Sequence, residues 1–186
     1  NRLIYFDTEF DMEKNIIIET DRLFMRKMTY DDIPSLNKIL QDEKTMYAYE
    51  HAFSDEEVVS WLEKQMKNYE TYGFGLFGMI LRETGEFIGQ CGITMQDFSG
   101  KSVPEIGYLL NRDFWHNGYA TEAALAMKKY AFEVLSFKEV YSIIRDTNIA
   151  SQNVAKRVGM KSVGEIVKHY YNMDMPHTVF SVKSPV

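Results

Sequence analysis

The segment Trp115-His116-Asn117-Gly118-Tyr119-Ala120-Thr121-Glu122 has the residue types of an anion-binding helix start. It follows an alternating apolar run, Val103 to Leu110, and opens an amphipathic stretch, which places it at a strand-to-helix junction. A helix N-terminus leaves four backbone N–H groups without intrahelical acceptors and carries about half a positive charge, which suits a pyrophosphate with no basic side chain. Gly118 lets the backbone approach the anion, and Ala120 keeps the first turn uncrowded. Taken alone, the segment reads equally as an ordinary loop in which Gly118 supplies a turn. A second segment, Asp146 to Met160, carries Asn148 where an N-cap belongs and Gly159 where a C-cap belongs, with amides and hydroxyls on the turn between. The four histidines, His51, His116, His169 and His177, and the single cysteine, Cys91, lack metal-ligand spacing, so no metal is expected.

The elements that must position these segments follow from periodicity. Thr20 to Met28 alternates as a strand, and Asp32 with Pro34 marks a helix start whose face carries Leu36, Ile39 and Leu40. Ser54-Asp55-Glu56-Glu57 is a capping box before a second helix with Val58, Leu62, Met66 and Tyr69 on one side. The two helices form a cover. Phe74 to Leu81 and Phe87 to Thr94 read as a hairpin around Glu83–Glu86, and a polar loop from Gln96 to Ser102 leads to the strand Val103–Leu110. The helix after Gly118 buries Ala120, Ala124, Met127, Ala131 and Val134. A strand from Lys138 to Arg145, a short helix from Ala150 to Val158, and closing strands near Ser162–Tyr170 and His177–Lys183 complete the order βααβββαβαββ. The fold class is mixed α/β, with about seven strands and about four helices.

With 186 residues the chain fits one domain, expected to span residues 12–186, and residues 1–11 read as an N-terminal extension or a cloning remnant. The start Asn1 to Glu13 carries four acidic residues, Asp7, Glu9, Asp11 and Glu13, unlike a signal peptide, and no apolar run approaches the ~18–20 residues of a membrane span. One cysteine excludes an internal disulfide and fits a reducing, cytoplasmic setting, with Cys91 a buried small hydrophobe. The net charge of −6 argues against nucleic-acid binding; it favours cationic substrates, although solubility alone asks for such a charge.

Together, Glu105-Ile106-Gly107-Tyr108-Leu109-Leu110, the segment from Gly118 to Ala123 and the segment from Asn148 to Gly159 resemble the GCN5-related N-acetyltransferase (GNAT) superfamily. The resemblance runs from about Ile18 to Lys183 and is to the branch of RimJ/RimL-type ribosomal-protein N-terminal acetyltransferases. It implies a mostly antiparallel twisted sheet splayed in the middle, with acetyl-CoA as co-substrate. Leu109 and Leu110 would offer main-chain hydrogen bonds to the pantetheine. The amides of His116, Asn117, Gly118, Tyr119, Ala120 and Thr121 would wrap the pyrophosphate, and Asn148, Ser151 and Asn153 would face the cofactor. The superfamily signature places Gln or Arg three residues before the glycine, where this chain has Trp115. Many members also place a general-acid Tyr at the position of Ala155, so here Ser151 or water would protonate the leaving thiolate, or the thiol, acidic enough to leave, would depart without help. Lys156 and Arg157 either approach the 3′-phosphate or end a solvated helix.

Within the same resemblance Glu105 is a candidate general base, as is His169, which stands where close relatives often carry a carboxylate; each is otherwise structural. Tyr47, Tyr49, Glu50 and Tyr170 fall where the acceptor would enter. The implied reaction is direct attack of a primary amine, from a peptide or protein N-terminus or a small molecule, on the thioester. Alternatives are a drug- or polyamine-modifying acetyltransferase and an acyl-CoA sensor without turnover. Monomer and homodimer stay open.

Overall fold

Residues 15–170 and 172–186 are described by the computed structural model; the expected N-terminal extension lies outside them. The longest pairing joins two strands, β4 (Phe87–Phe98) and β5 (Lys101–Leu110), across a two-residue turn at Ser99 and Gly100, whose φ angles are 52° and 75°. Two positive φ values match the right-handed twist of the flanking strands, so the hairpin closes tightly. The polar loop expected over Gln96–Ser102 is therefore paired strand, held at its tip by Phe98, whose ring lies 6.1 Å from that of Tyr141.

The other strands are β1 (Ile16–Glu19), β2 (Leu23–Arg26), β3 (Leu76–Leu81), β6 (Glu139–Arg145), β7 (Lys161–Tyr170) and β8 (Met173–Lys183). They form one eight-stranded sheet in the order β1-β2-β3-β4-β5-β6-β8-β7, antiparallel throughout except between β5 and β6. The extra strand, β1, lies ahead of the run expected from Thr20 to Met28, which pairs only from Leu23 because Thr20 makes a turn. Its backbone N–H donates to the Leu23 carbonyl at 2.8 Å and its Oγ1 accepts from the Leu23 N–H at 3.0 Å, a turn that folds Ile16–Glu19 back onto β2. The strand expected from His177 begins at Met173. Pro176 sits beyond the last β6–β8 pair, Arg145 with His177, so its missing N–H costs that ladder nothing.

Among the described residues five α-helices flank the sheet: α1 (Ile33–Leu40), α2 (Glu43–Met46), α3 (Asp55–Tyr72), α4 (Tyr119–Glu133) and α5 (Ile149–Arg157). The unexpected one, α2, forms because Asp42 caps it, accepting from the Thr45 N–H at 3.1 Å and hydroxyl at 2.6 Å. The capping box before α3 forms as the sequence indicated. Leu36, Ile39 and Leu40 of α1 and Val58 and Leu62 of α3 pack on Leu76, Ile80 and Phe87 of the sheet. On the opposite face Ala123, Ala124, Met127 and Ala131 of α4 pack on Phe77, Met79, Cys91, Ile93, Ile106 and Val140; small alanines let that helix lie close to the strands. Val134, expected in this stripe, is exposed. No helix among the described residues is long and apolar enough to cross a membrane.

The pivotal contact between β3 and β4 leaves no room for a side chain. A Cβ on Gly92 would lie 1.9 Å from the Gly75 carbonyl oxygen, the same oxygen that accepts from the Ile93 N–H at 3.2 Å. Gly92→Ala must displace backbone and is expected to destabilise the fold by ~3 kcal/mol, a large share of a typical total. Urea denaturation checks this; a loss below ~1 kcal/mol contradicts the rigidity assigned to the contact.

Candidate functional site

The site begins where the parallel pairing of β5 and β6 stops. Only Glu105 and Tyr141 are in register. On either side of that pair, side chains replace the missing ladder: Ser142 Oγ donates to the Ile106 carbonyl at 2.7 Å, and the Glu105 carboxylate accepts from the Ile143 N–H at 2.7 Å. Beyond them the two strands diverge. The Asn111 N–H donates to Ile88 on β4, so by alternation Leu109 also turns its peptide groups toward β4. The main-chain groups facing the gap belong to Tyr108 and Leu110. For Leu109 the strand parity points its peptide groups away from the gap, and the residue lines the cleft. The Leu110 carbonyl is taken by Trp115 Nε1 at 2.9 Å, which leaves the Leu110 N–H for a ligand.

The loop before α4 is shaped for an anion. His116 and Gly118 both have positive φ, 65° and 80°, with Asn117 between them. Such alternation turns successive N–H groups toward one side. No side chain caps the helix, so the N–H groups of Tyr119, Ala120 and Thr121 have no acceptor within it. The Asn117 side chain ties the loop down, donating to the carbonyls of Phe114 at 3.2 Å and Trp115 at 3.0 Å. The His116 ring meets that of Trp115 edge-on, so this residue offers its backbone to the loop.

Across the gap, Asn148 caps α5 through Oδ1, accepting from the Ser151 N–H at 3.2 Å, and both residues line the cleft. Asn153 is exposed and off the cleft; two positions along a helix turn it about 200° from Ser151. The expectation that both face one ligand on that turn meets this geometric obstacle. Tyr108 spans the gap, its hydroxyl donating to the Ser151 carbonyl at 2.6 Å, and burial pushes its phenol up so that it stays protonated. Ala155 is buried, while Lys156 and Arg157 are exposed on the last turn.

The gap opens into a cleft of about 540 Å³ lined by residues from both cover and sheet. Glu105, Tyr49, Glu50, His169 and Tyr170 all line it, so the structure brings together most of the catalytic and acceptor candidates. Desolvation pushes the Glu105 carboxyl up to about 7, opposed by the Ile143 N–H and by Lys168. Desolvation, then the neighbouring Glu105 and Tyr170, also raises the Tyr49 phenol. Glu50 holds a φ of 86°, a conformation rare for a residue with a Cβ. His169 is 73% exposed at the hairpin end and pairs with Asp174 through Nδ1. Tyr47 does not line the cleft; it bridges it from outside, accepting from Arg145 Nη1 at 2.7 Å on its carbonyl and donating its hydroxyl to the Thr147 carbonyl at 3.4 Å.

The sequence reading missed Tyr108, Lys168, His51 and His177 as cleft residues. His177 had a signal, because it shares a strand face with Met175 and Val179. It is buried, its Nδ1 hydrogen-bonded to the Met175 carbonyl at 2.8 Å, so Nδ1 carries the proton and Nε2 is left as an acceptor; desolvation holds its pKa below the ordinary value. Among the described residues no cluster of His, Cys, Asp and Glu is set to hold a metal.

Against known proteins, the acetyltransferase (GNAT) domain family matches residues 22–161. The Bacillus subtilis protein YkkB, itself uncharacterized, is 36% identical over 142 residues, covering 76% of this chain and 83% of YkkB. A crystal structure of an acetyltransferase from Agrobacterium tumefaciens superposes with a TM-score of 0.75 at 26% identity, covering 90% of this chain and 94% of that one. RimL, a ribosomal L7/L12 alpha-N-protein acetyltransferase solved with coenzyme A, superposes with a TM-score of 0.75 at 17% identity, covering 90% of this chain and 97% of RimL, a likeness of fold.

Two outcomes follow from this geometry. Gly118→Val is expected to abolish CoA binding in calorimetry while Tm falls by only about 2–8 °C, because a positive φ costs a β-branched residue on the order of 1–2 kcal/mol. Intact CoA affinity in that variant removes the loop from the site. For Glu105, a carboxyl raised in the fold from 4.5 to about 7 binds more protons folded than unfolded across that window, so its contribution to stability falls as pH rises through it. Glu105→Gln does not titrate and keeps an acceptor for Ile143. Its Tm relative to wild type should climb between about pH 4.5 and 7 and then level off; a difference independent of pH refutes the raised value.

Proposed function

Because the chain belongs to the acetyltransferase (GNAT) domain family and is an acyltransferase, we propose that it acetylates the α-amine of a peptide or protein N-terminus, with Glu105 as general base. The carrying observation is the desolvated Glu105 carboxyl at the head of the gap, raised to about 7 and open to the cleft. Acetyl-CoA, when bound, supplies an acetyl thioester whose carbonyl carbon is open to attack.

The residues fit that donor. The N–H groups at the start of α4, without acceptors in the helix, suit its diphosphate, and the Tyr108 main chain and the Leu110 N–H, turned toward the gap, suit the amides of its arm. The Asn148 amide N–H groups make no hydrogen bond among the described residues while Oδ1 serves as the cap, so one side chain can do both. The resulting path directs the thioester toward Glu105, where the cleft begins.

The acceptor arrives as an ammonium ion and must lose a proton. An α-amine near ~7.7–8.0 lies within about one unit of Glu105, so the transfer costs about 1 kcal/mol; a lysine or polyamine amine near ~10.4 would cost about 4–5 kcal/mol. That difference favours an N-terminal acceptor over a polyamine or most drug amines. Tyr49, Glu50 and Tyr170 line the path by which the acceptor enters. His169, exposed and paired with Asp174, has less reason to act as base. A departing thiolate, with a thiol pKa near ~8.5, needs little help, and Ser151, which lines the gap, or water can supply its proton. RimL's activity on an alpha-N-protein supports the same acceptor class, and the single buried Cys91 suits a reducing cytoplasm.

The test is kcat/KM against pH with peptide and polyamine acceptors. Wild type should show a limb rising through about pH 7, because the base acts when ionised. Glu105→Gln should lower kcat by ~10²–10⁴, leave CoA affinity unchanged and keep only the amine's own limb near ~7.7–8.0. Loss of the neutral limb in His169→Ala instead transfers the role to histidine. Faster turnover of spermidine than of N-terminal peptides rejects the acceptor class.

A further inference from the structure

In the loop before α4, Trp115 commits its indole N–H to the Leu110 carbonyl and Asn117 commits its side-chain amide to the carbonyls of Phe114 and Trp115. A cation reaches the loop from elsewhere. Arg22, on the turn between β1 and β2, lays its guanidinium over the Tyr119 ring, 4.3 Å from the centroid, and donates through Nη1 to the Asn117 carbonyl at 2.9 Å. Its Nε donates to Glu122 Oε1 at 2.7 Å, and its backbone N–H donates to Glu122 Oε2 at 3.0 Å. Thr20 Oγ1 donates to the same Oε2 at 2.6 Å. These contacts fix the plane of the fork on both sides. The remaining nitrogen, Nη2, makes no hydrogen bond among the described residues and lies 3.5 Å from where a Cβ on Gly118 would sit.

We propose that Arg22 is a cofactor-binding residue: its Nη2 supplies a charge-assisted hydrogen bond to the pyrophosphate of CoA, while Nη1 holds the loop that receives it. The assignment rests on the acetyl-CoA reading above. Glu122 occupies the Nε edge and balances part of the charge, leaving the opposite edge toward the loop. A fork serves this arrangement because it bonds a carboxylate, a carbonyl and a phosphate in three directions at once, which an ammonium on a flexible stem cannot do in fixed geometry. Since Arg22 is 44% exposed and already paired, its removal should cost about tenfold in affinity, the lower range for a charged hydrogen bond.

Calorimetric Kd values for CoA and for pantetheine, which lacks the pyrophosphate, test the assignment on wild type, Arg22→Met and Arg22→Lys. Arg22→Met should raise the Kd for CoA about tenfold, leave that for pantetheine unchanged and flatten the salt dependence of CoA binding. Arg22→Lys should lose less. A cooperative thermal transition and a wild-type circular dichroism spectrum verify the fold of Arg22→Met. Equal losses for CoA and pantetheine, or no loss for either, overturn the proposal, and if Arg22→Met does not fold, the CoA-to-pantetheine ratio in Arg22→Lys decides between these outcomes. Wild-type protein that binds pantetheine and CoA with the same affinity overturns the pyrophosphate contact, whereas wild-type protein that binds neither overturns the acetyl-CoA reading with it.

Discussion

One hydrogen bond marks the boundary between sheet and site: the Glu105 carboxylate on the Ile143 N–H. A parallel pair that continued past this point would close the gap, because each strand would satisfy the other's peptide groups. Instead a side chain satisfies the first amide and Ser142 satisfies the facing carbonyl, so both strands can part without a buried orphan. The opening then exposes main chain on both sides, and a ligand with its own amides can complete what the strands leave unmade. The same bond fixes the carboxylate at the head of the cleft, where desolvation acts on it. Sheet and cleft therefore share a residue.

That sharing carries a thermodynamic cost. A carboxyl raised toward neutrality by burial is less stable ionised inside the protein than outside, so the ionised form of Glu105 is locally unfavourable. The surrounding structure compensates by tight packing. Gly92 lets β4 approach Gly75, and the alanines of α4 let that helix lie on the strands beneath the gap.

Much of this was legible in the residues. The alternation in β4 and β5, the capping box at Ser54 and the Gly118 helix start each express a local rule, and each appears where the pattern put it. Less legible were features set by partners distant in sequence. Thr20 donates its hydroxyl to Glu122, about a hundred positions on, and Ser99 and Gly100 close a hairpin whose tip is secured by Tyr141, a residue some forty positions on. The cleft shows the same division. Glu105 and Asn148 sit in recognisable segments, while Tyr108 and His177 enter through strand parity, and Arg22 reaches the loop only because β1 and β2 pack against α4. Leu109 shows how a one-residue step along a strand exchanges the edges: its neighbours face the gap, and its own peptide groups do not.

Cys91 lies on β4, fully buried against α4, with its thiol pushed up to about 12 by desolvation. A thiol so placed meets an aqueous alkylating reagent only when the central strands separate, which is the most costly opening the domain undergoes. Since the sequence has no other cysteine, the modification rate of the native protein reads that opening directly, with no label added and no residue changed. The protein thus carries its own clock for the breathing of its core.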